Sequence, residues 1–278
     1  MTIHFHCCVN IRSLGESMLN ENYFVGIDVG TSYIKTVILD QKKELVGFST
    51  LKSGTDLNKS INASFDKAVT NAGLSKDLIN HVTATGFGRR KVIFANSVKT
   101  EISSHAKGAY YYFPRKITII DIGGQDTKII KIDTKGRTIG FKMNRKCAAG
   151  TGTFLEEIAY KLNISLDEMN AMAAKSTKDI ALGSFCTVFA STEILSRIKD
   201  GEKIEDMVKS TFESVVKRVI EMDTLRGSVV ITGGVIAFNN YLVKILTNFI
   251  KNEILIPPNP QLIGAFGAAL FAQELAKD

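Results

Sequence analysis

Two short segments of this 278-residue chain carry the side chains that phosphate chemistry needs. Their letters are DVGTS at 28–32 and DIGGQD at 121–126, and each follows an apolar run. Glycine lets the backbone approach a ligand closely, so that successive N–H groups can surround phosphate oxygens. A third glycine pair stands in TGGV at 232–235. The predicted phosphate ligands are Gly30, Thr31, Ser32, Lys35, Gly123, Gly124, Gly233 and Gly234.

Asp28 and Asp121 begin the first two segments and are the candidate catalytic carboxylates. Two carboxylates at matching strand ends would hold Mg²⁺ through water and position a nucleophilic water for phosphoryl transfer. A lone Asp-x-Gly after a strand is more often a simple turn. The duplicated pair and the third glycine element together favour a nucleotide site that faces two lobes.

The elements that must position these residues form an internal repeat. Residues 27–40 align with residues 120–133 at an offset of 93, and five of the fourteen positions are identical. Each copy predicts an antiparallel hairpin with the polar residues at its turn, followed by a third strand at 44–50 and at 137–143. Helical periodicity follows in both halves. We therefore predict an α/β protein of two duplicated halves, each a mixed sheet with helices.

The other segments extend this plan. Residues 81–88 predict a strand that ends in a turn, and residues 100–113 predict a helix that leads into Pro114. Residues 228–240 predict a strand, a Gly-Gly turn and the start of a helix that runs to about residue 250. The closing segment, 261–276, predicts a helix of small residues that packs back on the first half.

Composition excludes several classes of protein. With 45% hydrophobic and 23% charged residues, the chain is neither fibrous nor mostly disordered. No uncharged apolar run approaches the roughly 18 residues of a membrane span, and the start lacks a signal-peptide pattern, so we expect a cytoplasmic protein. The net charge of +7 arises from scattered lysines, which favour a solvated basic surface over nucleic-acid binding and also suit an acidic partner protein.

The three glycine elements resemble those of the superfamily of actin, sugar kinases, acetate kinase and heat-shock chaperones. More specific motifs are GIDVGTSYIK, ATGFGRR, TEISSHAKGA, IDIGGQDTK, NRKCAAGTGTFLE, FCTVFASTEI, TGGVIAFN and IGAFGAAL. Together they resemble the activator (component A) of 2-hydroxyacyl-CoA dehydratases, a family that includes the ATPase subunits of benzoyl-CoA reductase. The resemblance covers about residues 23 to 273, and DIGGQDTK and KCAAGTG are its most specific parts.

The resemblance implies two ribonuclease H-like lobes of the actin-like ATPase fold, with ATP/ADP in the cleft between them. The first lobe would comprise residues 23–115 and 262–278. The second lobe, 116–261, would carry cluster cysteines and a dimer interface. Residues 1–22 have no counterpart, so we expect a disordered extension, or a translation start at Met18.

The four cysteines are too few and too oddly spaced for a disulfide framework. Cys147 and Cys186 would be ordinary free thiols in most proteins, although a two-fold dimer could bring four thiolates to one [4Fe–4S] cluster. The resemblance matches both residues to the cluster ligands of the activators. Thr151 or Thr153 would cap the helix after Cys147, and the letters STE at 191–193 would start a helix after Cys186.

The resemblance also implies a function. Reduced ferredoxin or flavodoxin would load one electron onto the cluster of a homodimer. ATP hydrolysis would then drive the electron to an iron–sulfur cluster of a partner dehydratase. Because the hairpins must sense the γ-phosphate, Gln125 and Asp126 are predicted to bind it and to act in hydrolysis; the first hairpin has Ser32 and Tyr33 there.

Three alternatives remain at the level of the sequence. The first is an ATPase subunit or activator of another CoA-ester reductase of the benzoyl-CoA reductase type. The second is a small-molecule kinase of the same fold, in which an aspartate acts as base toward a substrate hydroxyl. The third is a chaperone-like or regulatory ATPase without a metal.

Several other polar residues receive structural roles from the sequence. His105 is expected to be a satisfied structural residue on its helix, and Glu101 a helix-start carboxylate after Thr100. Arg89 and Arg90 are expected to be solvated. The segment HFHCC at 4–8 contains metal-ligand types, but adjacent cysteines are poorly placed to chelate one ion.

Overall fold

A computed structural model of the chain describes residues 22–183 and 186–277. Its first half forms a five-stranded sheet in the order β3-β2-β1-β4-β5, in which β1, β2 and β3 are antiparallel and β4 and β5 run parallel to β1. The strands are β1 (Tyr23–Val29), β2 (Tyr33–Leu39), β3 (Leu45–Lys52), β4 (Ile79–Thr85) and β5 (Ser97–Val98).

The second half repeats this sheet with the same topology. Its order is β10-β9-β6-β7-β8, with β6, β7 and β8 antiparallel and β9 and β10 parallel to β6. The strands are β6 (Ile117–Ile122), β7 (Thr127–Ile132), β8 (Thr138–Asn144), β9 (Val229–Thr232) and β10 (Ile254–Leu255). The predicted duplication, with a hairpin and a third strand in each half, is confirmed.

Helices connect the strands and cover the sheets. They are α1 (Leu57–Ala72), α2 (Glu101–Tyr112), α3 (Gly152–Leu162), α4 (Leu166–Ala173), α5 (Thr187–Lys199), α6 (Ile204–Met222), α7 (Gly234–Phe238), α8 (Asn240–Phe249) and α9 (Ile263–Leu275). In the part of the chain described above, no helix is long and apolar enough to cross a membrane.

The central strands are buried because their sequences are almost continuously apolar. Every residue of β1 and of β6 is buried, as expected for strands covered on both faces. In the second half, helices α3, α4, α6 and α8 build the larger core around Phe154 and Phe212, which are about 1% and 0% exposed. This core holds the elements that follow the second hairpin in a single packed unit.

Helix α9 packs on the first sheet, which confirms the prediction for the closing segment. The contact is so close that a Cβ atom built on Gly26 of β1 would lie 1.9 Å from the carbonyl oxygen of Ala265. Only glycine fits there. Helix α2 packs against α9 and against the second sheet, where Ala106 and Ala109 contact its isoleucines. The division of the chain into lobes at 115/116 and 261/262 stays a prediction.

Two predicted helices have different limits. The helix expected to continue to about residue 250 is two helices, α7 and α8, that meet at Asn239, whose side-chain amide donates to the carbonyl of Val235 at 2.8 Å. The helix expected to start at 191–193 starts at Thr187 instead. The predicted extension at 1–22, with Cys7, Cys8 and Met18, lies outside the described residues except for Asn22.

Candidate nucleotide site and cysteine loops

The two hairpins end in turns with the same hydrogen bond. In the first turn, residues 30–33, the N–H of Gly30 donates to the carbonyl of Tyr33 at 3.1 Å. In the second turn, residues 123–126, the N–H of Gly123 donates to the carbonyl of Asp126 at 2.9 Å. The turns face each other: a Cβ atom built on Gly124 would lie 2.4 Å from Ser32 Oγ. The two predicted phosphate-binding turns are therefore in contact with each other.

The side chains predicted to bind phosphate at these turns differ in solvent exposure. Thr31 and Gln125 are exposed, so both side chains are accessible to a ligand. Lys35, which we predicted to bind phosphate, lies half-buried with its Nζ 3.6 Å from Asp28 Oδ2. A phosphate at the first turn would therefore share Lys35 with this carboxylate.

Asp28 and Asp121 occupy equivalent positions, each buried and directly opposite a lysine of the neighbouring antiparallel strand. Asp28 pairs in register with Lys35, and Asp121 pairs with Lys128. Lys128 Nζ lies 3.2 Å from Asp121 Oδ2 and 2.6 Å from Asp126 Oδ1. Lys128 is therefore the counterpart of Lys35, although its side chain is only 4% exposed.

Each aspartate–lysine pair also has a threonine beside it, on the neighbouring parallel strand. Thr85 is the register partner of Asp28, and Thr232 is the partner of Asp121. Thr232 Oγ1 donates to Asp121 Oδ1 at 3.1 Å, whereas the buried hydroxyl of Thr85 has no hydrogen-bond partner among the described atoms. The first set therefore retains an unused hydroxyl beside its carboxylate.

Cations set the charge state of the second carboxylate. Burial alone would raise the pKa of Asp121, but His105 and Lys128 outweigh it and hold that pKa well below its ordinary value. Burial would likewise lower the pKa of Lys128, whereas Asp121, Glu101 and Asp126 raise it. Both side chains are ionised at neutral pH. The buried ammonium of Lys128 is thus the shared cation of three carboxylates.

Helix α2 presents two side chains to this cluster, one turn apart. Glu101 is 8% exposed, and burial raises its pKa more than Lys128 lowers it. Its carboxylate lies 3.9 Å from Lys128 Nζ and 2.9 Å from Arg145 Nη2. Thr100 caps the helix, as predicted, but Glu101 is a buried ion-pair partner as well as a helix-start residue.

His105 does not have the satisfied structural role that the sequence favoured. It is buried, and its Nδ1 lies 3.6 Å from Asp121 Oδ1 without a hydrogen-bond partner in the described region. A Cβ atom built on Gly264 of α9 would lie 2.9 Å from His105 Nε2 and 3.1 Å from Asp28 Oδ2. The imidazole therefore stands near both predicted magnesium ligands.

These residues suit Mg²⁺, which proteins commonly hold with one or two carboxylates plus substrate phosphates. Asp28 and Asp121 are two such carboxylates, and an ion there would share them with Lys35 and Lys128. Within the described residues there is no group of three or more His, Cys, Asp or Glu side chains arranged to hold a metal by themselves. The ion would accordingly need the phosphates of a nucleotide.

The third glycine pair lies at the end of β9, beside the second hairpin. Gly233 has a φ of 102°, and a Cβ atom there would lie 2.3 Å from the carbonyl oxygen of Ile122. Its N–H donates to the carbonyl of Pro260 at 3.0 Å, so this amide already has an acceptor. Gly234, in contrast, has open space where a side chain would be. Of the two predicted ligands, Gly234 is therefore the one that a nucleotide can approach.

Cys147 and Cys186 each precede one of two helices that pack together, α3 and α5. Cys147 is exposed in the cysteine loop, residues 145–151, which joins β8 to α3. Asn144 Nδ2 holds this loop by donating to the carbonyls of Cys147 and Ala149 at 2.9 and 3.0 Å. Cys186 is half-buried at the N-cap of α5, which packs against α3. The positive end of the α5 dipole therefore faces Cys186 more directly than predicted.

The two threonines expected to cap α3 have other roles. Thr151 is at the N-cap, but its hydroxyl donates to the carbonyl of Ala148 at 2.5 Å. Thr153 Oγ1 donates to the carbonyl of Gly124 at 2.7 Å. Both hydroxyls thus tie the helix start to neighbouring turns.

Backbone hydrogen bonds join the second hairpin turn to the start of α3. The N–H of Gly152 donates to the carbonyl of Gly123 at 2.9 Å, and that of Thr153 donates to Gly124 at 2.7 Å. Behind the turn, Thr127 Oγ1 donates to the carbonyl of Gly150 at 2.6 Å. The second hairpin turn is therefore joined by hydrogen bonds to the start of the helix that follows Cys147.

A family model described as the BadF/BadG/BcrA/BcrD ATPase family matches residues 25–272. The chain belongs to this family.

Two proteins of this family are similar to this chain over almost its whole length. The activator of lactoyl-CoA dehydratase from Anaerotignum propionicum is 42% identical over 258 residues, which are 92% of this chain and 99% of that protein. The crystal structure of component A of (R)-2-hydroxyglutaryl-CoA dehydratase from Acidaminococcus fermentans superposes with a TM-score of 0.88 at 38% identity, covering 92% of this chain and 100% of that one.

A third relative was solved with a nucleotide analogue. The activator of 2-hydroxyisocaproyl-CoA dehydratase from Clostridium difficile, with bound ADPNP, gives a TM-score of 0.86 at 39% identity and covers 92% of this chain and 96% of that one. The predicted membership of the activator family and the actin-like ATPase fold are thus confirmed. As a member of this family, the chain is an ATPase.

Sequence reasoning missed four ionisable members of the site in this ATPase. Lys128 was detectable, because the offset of 93 that relates the hairpins maps Lys35 onto it. Glu101 and His105 are four residues apart on one predicted helix, which placed them on one face without indicating what the face meets. The role of Arg145 was not indicated by any pattern, since it lies in a loop before Cys147, where neither helix nor strand periodicity applies.

Proposed function

We propose that this ATPase is an activator of a 2-hydroxyacyl-CoA dehydratase, to which it transfers single low-potential electrons at the expense of ATP. The observation that carries the proposal is the hydrogen-bonded connection between the second hairpin turn and the helix after Cys147. A nucleotide-binding element and an electron-carrying element need such a connection if hydrolysis is to drive electron transfer.

The nucleotide would bind between the two hairpin turns. Backbone N–H groups of the turns, the hydroxyls of Thr31 and Ser32, and Lys35 would hold its phosphates. Asp28 and Asp121 would hold Mg²⁺ at these phosphates and orient the attacking water. Because Gly124 and Ser32 are in contact, the turns must separate to admit the phosphates. The ligand would thereby favour a more open arrangement.

Gln125 and Asp126 would distinguish ATP from ADP. Gln125 is exposed at the turn, where its amide can orient a water at the γ-phosphate. Asp126 is paired with Lys128 at 2.6 Å, so a γ-phosphate would compete with it for that ammonium. Loss of the γ-phosphate on hydrolysis would return Lys128 to Asp126 and reverse the movement.

Cys147 and Cys186 of two copies of the chain would hold one [4Fe–4S] cluster. Such a cluster accepts and releases one electron at low potential. The described residues contain two cysteines, Cys147 in the loop before α3 and Cys186 at the N-cap of α5, which would supply half of the four-thiolate set that the cluster needs. The helix N-termini would stabilise its negative charge.

A homodimer follows from this ligand count, and the surface beside Cys186 supports it. Val188 and Phe189, on the first turn of α5 just after Cys186, are 69% and 68% exposed. Apolar side chains of this size close to a site that needs a second subunit are suited to burial in an interface. The symmetry of an isologous dimer would bring the equivalent cysteines together.

Partners and location belong to the same proposal. The electron donor would be reduced ferredoxin or flavodoxin, and the net charge of +7 suits docking to an acidic carrier of that kind. The acceptor would be the dehydratase, in the cytoplasm. A transfer rate that does not fall with added salt would argue against the charged docking.

The proposal is tested first by anaerobic purification, an absorption spectrum and an iron assay, with the Cys147→Ser variant in parallel. We expect a brown protein with about four irons per dimer, and loss of this iron in the variant. The iron-loaded protein is then assayed with ATP, a low-potential donor and a dehydratase component.

Two results would redirect the proposal. Colourless, iron-free protein after anaerobic reconstitution would reject electron transfer and return attention to a kinase of the same fold. Iron-loaded protein that activates a benzoyl-CoA reductase type of enzyme and no dehydratase would change the partner while keeping the electron transfer.

A further inference from the structure

Arg145 connects three parts of the molecule that the proposed function requires to act together. Its guanidinium Nη2 donates to Glu101 Oε2 on α2 at 2.9 Å, and its Nε lies 3.9 Å from Asp126 Oδ2 in the second hairpin turn. Its backbone belongs to the cysteine loop, two residues before Cys147. The side chain of Arg145 therefore connects the cysteine loop both to the second hairpin turn and to α2.

The charges around this arginine compete with one another. Two cations, Lys128 and Arg145, form ion pairs with three carboxylates, which are those of Glu101, Asp121 and Asp126. A nucleotide phosphate arriving at the second turn adds negative charge to this set and draws the two cations toward itself.

The two cations differ in their ability to respond. The side chain of Lys128 is 4% exposed and is enclosed by its carboxylates, whereas that of Arg145 is 51% exposed. Arg145 can therefore turn toward a phosphate or toward solvent while its own charge stays hydrated, whereas Lys128 can exchange partners only inside the enclosed cluster. Because the backbone of Arg145 belongs to the cysteine loop, a side-chain response that reaches this loop would accordingly pass through Arg145.

We propose that Arg145 is a positioning residue that reports the nucleotide state of the second hairpin turn to the cysteine loop. When phosphate occupies the turn, the guanidinium leaves Asp126 and Glu101, and the loop that carries Cys147 moves with it. This inference rests on the proposed function. It adds a side-chain connection to the backbone hydrogen bonds of Gly152 and Thr153, which a substitution at 145 leaves intact.

The test measures the reactivity of the Cys147 thiol in the full-length, cluster-free chain. Alkylation by iodoacetamide is followed by peptide mass spectrometry at Cys147, with and without ADPNP, and the dissociation constant for ADPNP is measured separately. In the unsubstituted chain we expect ADPNP to change the alkylation rate by about fivefold or more, the lower range of allosteric coupling.

In Arg145→Gln we expect this ratio to fall to about one while the ADPNP dissociation constant stays within about threefold, because the phosphate ligands are unchanged. Arg145→Lys, which keeps the charge, should recover part of the ratio. Arg137→Gln is the matched control: it removes the arginine directly before β8, which is paired with Asp133 at 2.7 Å, and should retain the ratio.

A second variant approaches the same connection from α2. Glu101→Gln should also reduce the ratio, and the double variant with Arg145→Gln should lose no more than the stronger single variant, because both remove one interaction. Thermal unfolding of each variant verifies that it is folded.

The outcomes separate the two proposals. An Arg145→Gln chain that keeps the full ratio shows that the backbone connection suffices, and overturns the inference. An unsubstituted chain that binds ADPNP without any change at Cys147 also overturns it. A chain that binds no ADPNP at all overturns the proposed function as well.

Discussion

Lys128 Nζ lies 3.2 Å from Asp121 Oδ2 in a buried pair, whereas its duplicated counterpart, Lys35 Nζ, lies 3.6 Å from Asp28 Oδ2 in a more open one. Duplication thus placed the same two residue types at the same register, and the environment made them different. The second pair is enclosed by α2 and by Asp126, so its lysine has become a structural centre of the site.

The enclosure of Lys128 predicts a large loss of stability on its removal. Lys128→Met leaves Asp121, Asp126 and Glu101 without their shared cation, which should cost about 3 kcal/mol or more of the free energy of unfolding. Lys35→Met, at the 19%-exposed counterpart, should cost less. Urea unfolding of both variants measures the difference, and equal losses would contradict the asymmetry.

Gln125 is predicted to act in hydrolysis rather than in binding. Gln125→Ala should leave the dissociation constant for ATP nearly unchanged and slow phosphate release by about tenfold or more, since each 1.4 kcal/mol of lost transition-state stabilisation is a factor of ten. Isothermal titration and a steady-state phosphate assay measure the two quantities. Unchanged turnover would sink the assignment.

Thr153 is predicted to contribute to the connection between the second turn and α3. Thr153→Val removes the hydroxyl that donates to Gly124 at 2.7 Å and should weaken that connection by about 1 kcal/mol. The effect of ADPNP on Cys147 alkylation should become smaller. Thr151→Val, whose hydroxyl donates to Ala148 inside the loop, is the control. A larger effect in the control would place the connection elsewhere.

Phe189 is predicted to lie in the dimer interface. Phe189→Asp should shift the sedimentation equilibrium toward monomer, because a carboxylate would be buried without a partner. Phe238→Asp is the matched control, since Phe238 is equally 68% exposed but lies on α7. If both variants remain dimeric, the interface is not at α5.

Asp206 predicts an acid-dependent loss of stability near the segment that leads to Cys186. Its carboxylate accepts the N–H of Lys178 at 3.0 Å and the hydroxyl of Ser176 at 2.8 Å, and these bonds hold its pKa below the ordinary value. A lowered folded pKa means that the ionised carboxylate stabilises the fold above the unfolded pKa of about 3.9, and that this contribution is lost as the pH falls through the folded value.

The corresponding measurement compares thermal unfolding of Asp206→Asn with the unsubstituted chain. The variant should have a lower Tm at pH 7, and the difference should shrink as the pH falls below about 3.9, because the carboxyl then binds a proton in the unfolded chain before it does so in the folded one. A difference that is constant over this range would contradict the assignment.

Local patterns were sufficient for much of the architecture. The repeat of 27–40 at 120–133, the apolar runs and the Asp-x-Gly segments predicted both hairpins, because strand pairing across a short turn depends on neighbouring residues. They also determined the equivalence of Asp28 and Asp121. The motif around Cys147 was sufficient to indicate the activator family.

Tertiary structure alone decided which other side chains complete the site. Glu101, His105 and Arg145 are ordinary polar residues in sequence, and they join Lys128 in a single network only where α2, the second hairpin and the cysteine loop pack together. It also decided that Thr153 contacts Gly124 across 29 positions. Such contacts depend on the packing of distant segments, for which the period and propensity of a single segment hold no information.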